Sequence, residues 1–137
     1  MKQRRLPAAF MRGGTSNAIV FRQEDLPTDR TLWDNTVLAG MGTPDANGRQ
    51  LNGMGGGISS LSKVCVVGPP SHPDADIDYT FAQIGVQNAT VGYGANCGNM
   101  SAAMGPFAID EGIVSAKGDS AMVRIHNTNT KKIIHAH

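Results

Sequence analysis

The sequence has 137 residues, of which 40% are hydrophobic and 17% charged. This composition favours one globular domain and excludes a disordered chain. With 12 basic and 11 acidic residues the net charge is +1, which argues against nucleic acid or an anionic membrane as the main partner.

No apolar run approaches the roughly 20 residues of a membrane span. The basic residues 1–7 lead into glycines rather than an apolar stretch, so we do not expect a signal peptide. Two cysteines are too few for a disulfide scaffold, and we therefore expect a reduced, cytoplasmic protein.

Turn and periodicity signals predict a strand and a helix in the first third of the chain. The turn at 12–16 precedes a short apolar strand at 18–21. A helix is predicted to open at 27–29, with Thr28 as its N-cap, because the apolar residues at 32–41 recur near a 3.6-residue period.

Two glycine-rich loops, at 42–48 and 53–57, separate this helix from the central strands. The apolar run at 64–67 is the clearest buried strand of the sequence. Alternation of apolar and polar residues predicts a half-buried strand at 77–84, and 89–93 is a further strand candidate.

The segment at 97–109 carries no charge and would present small or apolar residues on every side of a helix. It is therefore predicted to be a helix that is buried on every side. Pro106 should kink or shorten this helix, since proline lacks the backbone donor. A strand at 121–126 and a turn at 127–131 lead into a second strand that starts at Lys132 and stops with the chain. We therefore expect an incomplete domain of the α+β class, with strands around a buried helix.

Cys97 stands at the expected N-terminus of that helix. Unpaired backbone N–H groups and the helix dipole favour negative charge there, which lowers the pKa of a thiol and makes it a proton acceptor. Asn96 and Asn99 offer amides to a carboxylate, and Gly98 lets a ligand approach the backbone. The alternative is that Cys97 is a small buried hydrophobic residue.

Lys63 stands between a serine-rich loop and the buried strand. Partial desolvation at such a junction lowers the pKa of a lysine and makes it a usable base. The alternative is a surface lysine that marks the edge of a strand.

The glycine-rich loop at 53–57 and the Arg-Gly-Gly-Thr-Ser turn at 12–16 are candidates for carboxylate binding. Gly56 and Gly57 could form part of a backbone nest, and Arg12 could bind a carboxylate in a bidentate manner. The 53–57 loop lacks the Gly-Lys-Ser/Thr ending of a P-loop, and no helix pattern follows it, so it is a weak phosphate or dinucleotide motif. Loops without a ligand are the alternative.

Acidic and histidine residues raise the alternative of a metal site. Asp74, Asp76 and Asp78 alternate, but a calcium loop would also need a glycine and a distal glutamate that are not in place. Asp74 is expected to cap a turn, and His135 and His137 to be solvated strand residues. We therefore expect no metal.

Five motifs, in the same order, are together similar to those of the PrpF family, which includes 2-methylaconitate isomerases, 3-methylitaconate delta-isomerases and 4-oxalomesaconate tautomerases. The resemblance covers essentially the whole chain. Its motifs are Met-Arg-Gly-Gly-Thr-Ser at 11–16, Gly-Met-Gly-Gly-Gly at 53–57, Ser-Ser-Leu-Ser-Lys-Val at 59–64, Pro-Asp-Ala-Asp-Ile-Asp-Tyr at 73–79 with Phe-Ala-Gln at 81–83, and Asn-Cys-Gly-Asn-Met-Ser-Ala-Ala at 96–103 with Gly-Pro-Phe-Ala-Ile at 105–109.

The resemblance implies a diaminopimelate epimerase-like fold, in which mostly antiparallel strands wrap around a central helix in each of two domains and the active site lies in the cleft between them. Residues 1–137 would be the N-terminal domain, incomplete at its C-terminal end, and the second domain would complete the cleft. A homodimer is left open.

The resemblance also implies roles for individual residues. The lysine and cysteine of the family motifs fall on Lys63 and Cys97, and the carboxylate-binding positions fall on Thr15, Ser16, Ser60, Gly98 and Asn99. Many members carry a basic residue after the first Thr-Ser, where this chain has Asn17, and the loss of that charge could change which carboxylate is held. Cys65 matches no catalytic position.

The implied function is a cofactor-independent isomerase, or tautomerase, that shifts a proton on a small unsaturated di- or tricarboxylic acid. No metal or organic cofactor is required, and which of Lys63 and Cys97 removes the proton stays open. The fragment alone is expected to be weak or inactive. The alternative is a non-catalytic domain that binds a tricarboxylate or assists an aconitase-type dehydratase.

Overall fold

A computed structural model of the chain describes residues 3–137; Met1 and Lys2, the start of the basic amino-terminal segment, lie outside the described residues. The described part forms one sheet and two α-helices, with short 3-10 turns between them. In chain order the strands and α-helices are β1 (Ala9–Gly13), β2 (Ser16–Arg22), α1 (Trp33–Met41), β3 (Lys63–Gly68), β4 (Ile77–Ile84), β5 (Val91–Gly92), α2 (Gly98–Asp110), β6 (Val123–Asn127) and β7 (Lys132–Ala136). The predicted mixture of strands and few helices is confirmed.

The strands form a mixed sheet in the order β1-β2-β3-β4-β6-β7, with the short β5 beside β4. Neighbours are antiparallel except for two parallel pairs, β2 with β3 and β4 with β6. A parallel pair needs a crossover connection, and the two crossovers contain the two helices, α1 and α2.

The two helices pack on opposite faces of the sheet. Successive side chains of a strand point to opposite faces. In β2 and β3, one set of alternating side chains packs with α2, and the other set packs with α1. The α2 set is Ala18, Val20, Cys65 and Val67, and the α1 set is Ile19, Phe21, Val64 and Val66.

Helix α2 is not buried on every side, and that prediction is wrong. The sheet covers one side of the helix, where Met100, Met104 and Phe107 are buried. Ala102, Pro106 and Asp110 recur every four residues and are exposed. The helix also runs on past its proline to Asp110. The carbonyl that the proline leaves without a donor belongs to the exposed Ala102, where water can satisfy it.

The predicted cap of the first helix is also wrong. A 3-10 turn at Arg30–Leu32 precedes α1, and Asp29 rather than Thr28 caps that turn. The Asp29 carboxylate accepts hydrogen bonds from the backbone N and the hydroxyl of Thr31, at 2.9 and 2.6 Å. An ionised carboxylate is a stronger acceptor than the Thr28 hydroxyl.

Two of the three aspartates considered as metal ligands, Asp76 and Asp78, hold the β6–β7 hairpin to the β4 region instead. Arg124 donates to both oxygens of Asp76, with the shorter contact at 2.7 Å from Nη2. Asp78 lies 2.9 Å from Nδ1 of His126 and accepts from the backbone N of Ser71. Among residues 3–137 no three His, Cys, Asp or Glu side chains are grouped so as to hold a metal ion. The same residues include no helix long and apolar enough to cross a bilayer.

Candidate active site

Two elements that are distant in the sequence bring Lys63 and Cys97 together. Lys63 begins β3 and shares the α2 face of the sheet with Cys65 and Val67, because side chains alternate along a strand. Cys97 is the N-cap residue of α2, and its carbonyl accepts the first helical hydrogen bond, from the backbone N of Ser101 at 3.0 Å. The Lys63 Nζ lies 3.1 Å from the Cys97 Sγ, which is hydrogen-bond distance for sulfur.

The surroundings of Cys97 favour its thiolate. Burial raises the pKa of the thiol, since the side chain is only 7% exposed. The backbone N–H of Met100, the Lys63 ammonium and the Ser16 hydroxyl, whose Oγ lies 4.0 Å from the sulfur, act in the opposite direction. Their combined effect holds the pKa of Cys97 below its ordinary value. The contact therefore favours a Cys97 thiolate beside the Lys63 ammonium.

The floor beneath this pair is apolar. The Lys63 Nζ lies 5.4 Å from the centroid of the Phe81 ring, which attracts the ammonium through its π-face. Cys65 is completely buried, and its Sγ lies 3.9 Å from the Tyr79 hydroxyl. Burial raises the pKa of Cys65 to about 12, so this thiol stays neutral.

The β1–β2 turn packs against the N-terminus of α2 and completes the polar surroundings of Cys97. The Asn99 Nδ2 donates to the Thr15 Oγ1 at 3.1 Å and lies 3.4 Å from the Ser16 Oγ. The approach is close because Gly13 has no side chain, since a Cβ there would overlap the carbonyl oxygen of Asn99. At Gly98, by contrast, a Cβ would meet no atom within 4 Å, so the backbone of the first helical residue faces open space.

Two of the predicted ligand-binding residues are directed elsewhere. Arg12 is exposed on β1 and alternates with Met11, which packs in the α2 core, so Arg12 points to the other face of the sheet. The Asn96 Oδ1 accepts from the Asn127 Nδ2 at 2.8 Å and lies 3.3 Å from the Ser101 Oγ. The Asn96 amide oxygen thus ties α2 to the end of β6 rather than facing Cys97.

The loop at 53–57 does not offer a backbone nest. Each of its five N–H groups already donates within the protein, to carbonyl oxygens for residues 53–56 and to the Gln50 Oε1 for Gly57. The interpretation of Gly56 and Gly57 as carboxylate-binding donors is therefore wrong, because a nest needs free N–H groups. Ser60 lies in the 3-10 turn Ser59–Leu61, three residues before Lys63, and is half-buried.

Sequence patterns missed Gln50, whose side chain is completely buried in this loop region. It contacts Ser62, the residue before Lys63, through a hydrogen bond of 2.7 Å. No periodicity marks a glutamine in an irregular polar loop as buried, so only its contacts reveal it.

The Lys63–Cys97 pair lies on an open surface. Thr15, Gly98 and Asn99 around it are exposed. Surface depressions of about 530 and 560 Å³ lie beside the 42–52 loop and beside the 114–122 segment, and neither is lined by Lys63 or Cys97.

The fold and site define a mixed α/β domain that presents a thiol and an amine in contact at a helix N-terminus. The model of the family described as PrpF protein matches residues 3–137, and the chain belongs to this family. It is 48% identical over 134 residues to 3-methylitaconate isomerase of Eubacterium barkeri, covering 98% of this chain and 35% of that protein. It is 49% identical over 133 residues to 4-oxalomesaconate tautomerase of Pseudomonas putida, covering 97% of this chain and 36% of the relative.

A solved structure shares this fold. The crystal structure of a methylitaconate-delta-isomerase superposes with a TM-score of 0.91 at 48% identity, over 95% of this chain and 33% of that one. The chain therefore spans about a third of the length of the relatives it matches.

Proposed function

We propose that the protein, in its full natural length, is a cofactor-independent isomerase that shifts a proton on a small unsaturated di- or tricarboxylic acid. Suitable substrates are 2-methylaconitate, 3-methylitaconate and 4-oxalomesaconate. The observation that carries the proposal is the 3.1 Å contact between the Lys63 Nζ and the Cys97 Sγ at the N-terminus of α2. Membership of the PrpF family and the names of the relatives support it.

The proposed chemistry uses the ion pair directly. The Cys97 thiolate removes a proton from a carbon next to the substrate's conjugated acid system, and the Lys63 ammonium returns one to another carbon of the same frame. The thiol then passes its proton to the amine across the 3.1 Å contact, which restores both groups. Electrons stay within the substrate, so the step needs no oxidant or reductant. The helix N-terminus stabilises the enolate-like charge that develops.

Carboxylate binding is proposed for the polar groups around Cys97. Thr15, Ser16 and Asn99 form a connected set of hydroxyl and amide groups beside the sulfur. The open space at Gly98 lets a carboxylate reach the first N–H groups of α2. Ser60 is proposed as a further contact from the turn before β3. The neutral Asn17 next to Ser16 leaves this set without a cation of its own.

We propose that the chain has the diaminopimelate epimerase-like fold and forms the first of two domains. The site on this chain is open to water, and a second domain would supply its other wall. A chain of these 137 residues alone should then be weak or inactive, and the addition of the other part in trans should raise the rate. Both cysteines are free thiols, which supports a reduced, cytoplasmic location.

The test uses the natural-length protein and its Lys63→Ala variant. The wild type should isomerise one of the three acids and should exchange carbon-bound hydrogens of the substrate with deuterated water, followed by NMR. Lys63→Ala should lose nearly all turnover while its circular dichroism stays unchanged. Wild-type turnover in that variant would end the catalytic assignment. Aconitate binding by calorimetry without any hydrogen exchange would favour a non-catalytic binding domain.

A further inference from the structure

We infer that Gln50 is a positioning residue, which holds the start of β3 in the place from which Lys63 reaches Cys97. The inference rests on the proposed function, in which these two side chains exchange protons. Gln50 contacts neither of them and acts through Ser62.

The Gln50 carboxamide joins three segments. Its Nε2 donates to the Thr43 Oγ1 at 2.9 Å and to the Ser62 Oγ at 2.7 Å. Its Oε1 accepts from the backbone N of Gly57 at 3.0 Å. The side chains of Gln50 and Ser62 are completely buried, so water cannot replace these bonds. One amide therefore connects the segment just after α1, the 53–57 loop and the residue before Lys63.

The loop is shaped around this side chain. Gln50 has a positive φ of 52°, which few residues other than glycine adopt, and the Asp45 carboxylate accepts its backbone N–H at 2.7 Å. A Cβ at Gly55 would overlap the Gln50 carboxamide, so a glycine is required beside it. These features hold Gln50 in one position. We call Gln50 and its three partners, Thr43, Gly57 and Ser62, the clamp.

The polarity of the contacts requires an amide. The Thr43 hydroxyl donates its one proton to the Gly85 carbonyl at 2.6 Å, so towards Gln50 it can only accept. Gly57 needs an acceptor for its N–H. A glutamate of the same shape could accept from Gly57 but could not donate to Thr43, and two acceptors would then face each other without a proton.

Ser62 transmits this restraint to Lys63. Its backbone carbonyl accepts from the Ile84 N at 3.0 Å and from the Gln83 Nε2 at 2.9 Å, and its hydroxyl is held by Gln50. Lys63 follows as the first residue of β3. Its contact with Cys97 measures 3.1 Å, so a shift of about 1 Å at the strand start would break that hydrogen bond.

The experiment measures the reactivity of Cys97, and not turnover. In the natural-length protein, the rate of iodoacetamide alkylation at Cys97 is followed by peptide mass spectrometry from pH 5 to 10. The variants are Gln50→Glu, Ser62→Ala as a milder release of the same clamp, and Lys63→Met as the reference for complete loss of the ammonium. Asp76→Asn is the matched control, because it weakens the partly exposed ion pair with Arg124 just before β4 and none of its contacts involves Gln50 or Ser62. Each variant's melting temperature is recorded.

Gln50→Glu should raise the pH midpoint of alkylation by roughly one unit, towards the value of Lys63→Met, and Ser62→Ala should shift it by a smaller amount in the same direction. Asp76→Asn should keep the wild-type midpoint even where its melting temperature falls. Wild-type midpoints in Gln50→Glu and Ser62→Ala, together with a raised midpoint in Lys63→Met, would overturn this inference alone. If Gln50→Glu does not fold, Ser62→Ala decides. No shift in Lys63→Met would overturn the ion pair, and with it both the proposed function and this inference.

Discussion

Two glycines beside the candidate site should respond in opposite ways to the same substitution. In Gly13→Ala the new Cβ would lie 3.0 Å from the carbonyl carbon of Asn99 and 3.2 Å from the Cα of Met100, and it would overlap the Asn99 oxygen. These are backbone atoms that cannot rotate away, so β1 and α2 must separate. Overpacking of this kind costs about 1–3 kcal/mol, and the melting temperature should fall by roughly 2–10 °C.

Gly98→Ala should leave stability unchanged or raise it. Its Cβ would meet nothing within 4 Å, its φ is not positive, and it stands at the first residue of α2. Alanine is favoured over glycine in a helix by up to about 1 kcal/mol. The methyl group would, however, occupy the space through which a carboxylate reaches the helix N-terminus. We expect aconitate binding to weaken by about fivefold or more, which corresponds to about 1 kcal/mol.

The assays are thermal unfolding by circular dichroism and calorimetric titration with aconitate, each on the natural-length wild type and both variants. A melting temperature of Gly13→Ala equal to that of the wild type would refute the close contact between β1 and α2. Undiminished aconitate binding by Gly98→Ala would refute the assignment of this open space to a ligand.

Three further results are expected. Hydrogen bonds from Arg124 hold the pKa of Asp76 below its ordinary value. The ionised Asp76 therefore stabilises the fold fully above the pKa of an unfolded aspartate, and this stabilisation is lost as the pH falls through the lowered pKa of the folded state. The urea midpoint should then fall less steeply between pH 6 and 2 in Asp76→Asn than in the wild type, and equal slopes would contradict this. Iodoacetamide should label Cys97 in the native protein, while Cys65, whose pKa burial raises to about 12, should react only after unfolding; equal labelling of both would show that the sheet does not protect Cys65. Asn129→Ala should remove three hydrogen bonds to main-chain groups, two on β4 and one just after β5. In urea titrations the free energy of unfolding should fall by about 1–3 kcal/mol. A loss below about 0.5 kcal/mol would mean that water replaces the amide.

The elements that sequence patterns predicted well are those that local order specifies. The buried run at 64–67 lies within β3, and the alternating segment at 77–84 is β4. The half-buried character predicted for 77–84 is wrong, because core side chains pack on both faces of β4. The turn at 127–131 joins β6 and β7 as predicted. Side-chain alternation depends on neighbouring residues alone, so it can be read without knowledge of the fold. The first helix cap was less predictable, because Thr28 and Asp29 are both acceptable cap residues and the 3-10 turn decides between them.

The sequence by itself determined the family, the class of fold and the residue types able to exchange protons, because these follow from motifs and local periodicity. Only the tertiary structure decided which of those residues meet. Lys63 and Cys97 are in contact because the Lys63 side chain leaves β3 on the face of the sheet that α2 covers, while Arg12 is on the other face and the N–H groups of the 53–57 loop are already paired. Contacts between residues 34 positions apart depend on the order of the strands in the sheet, and no pattern of neighbouring residues encodes that order directly.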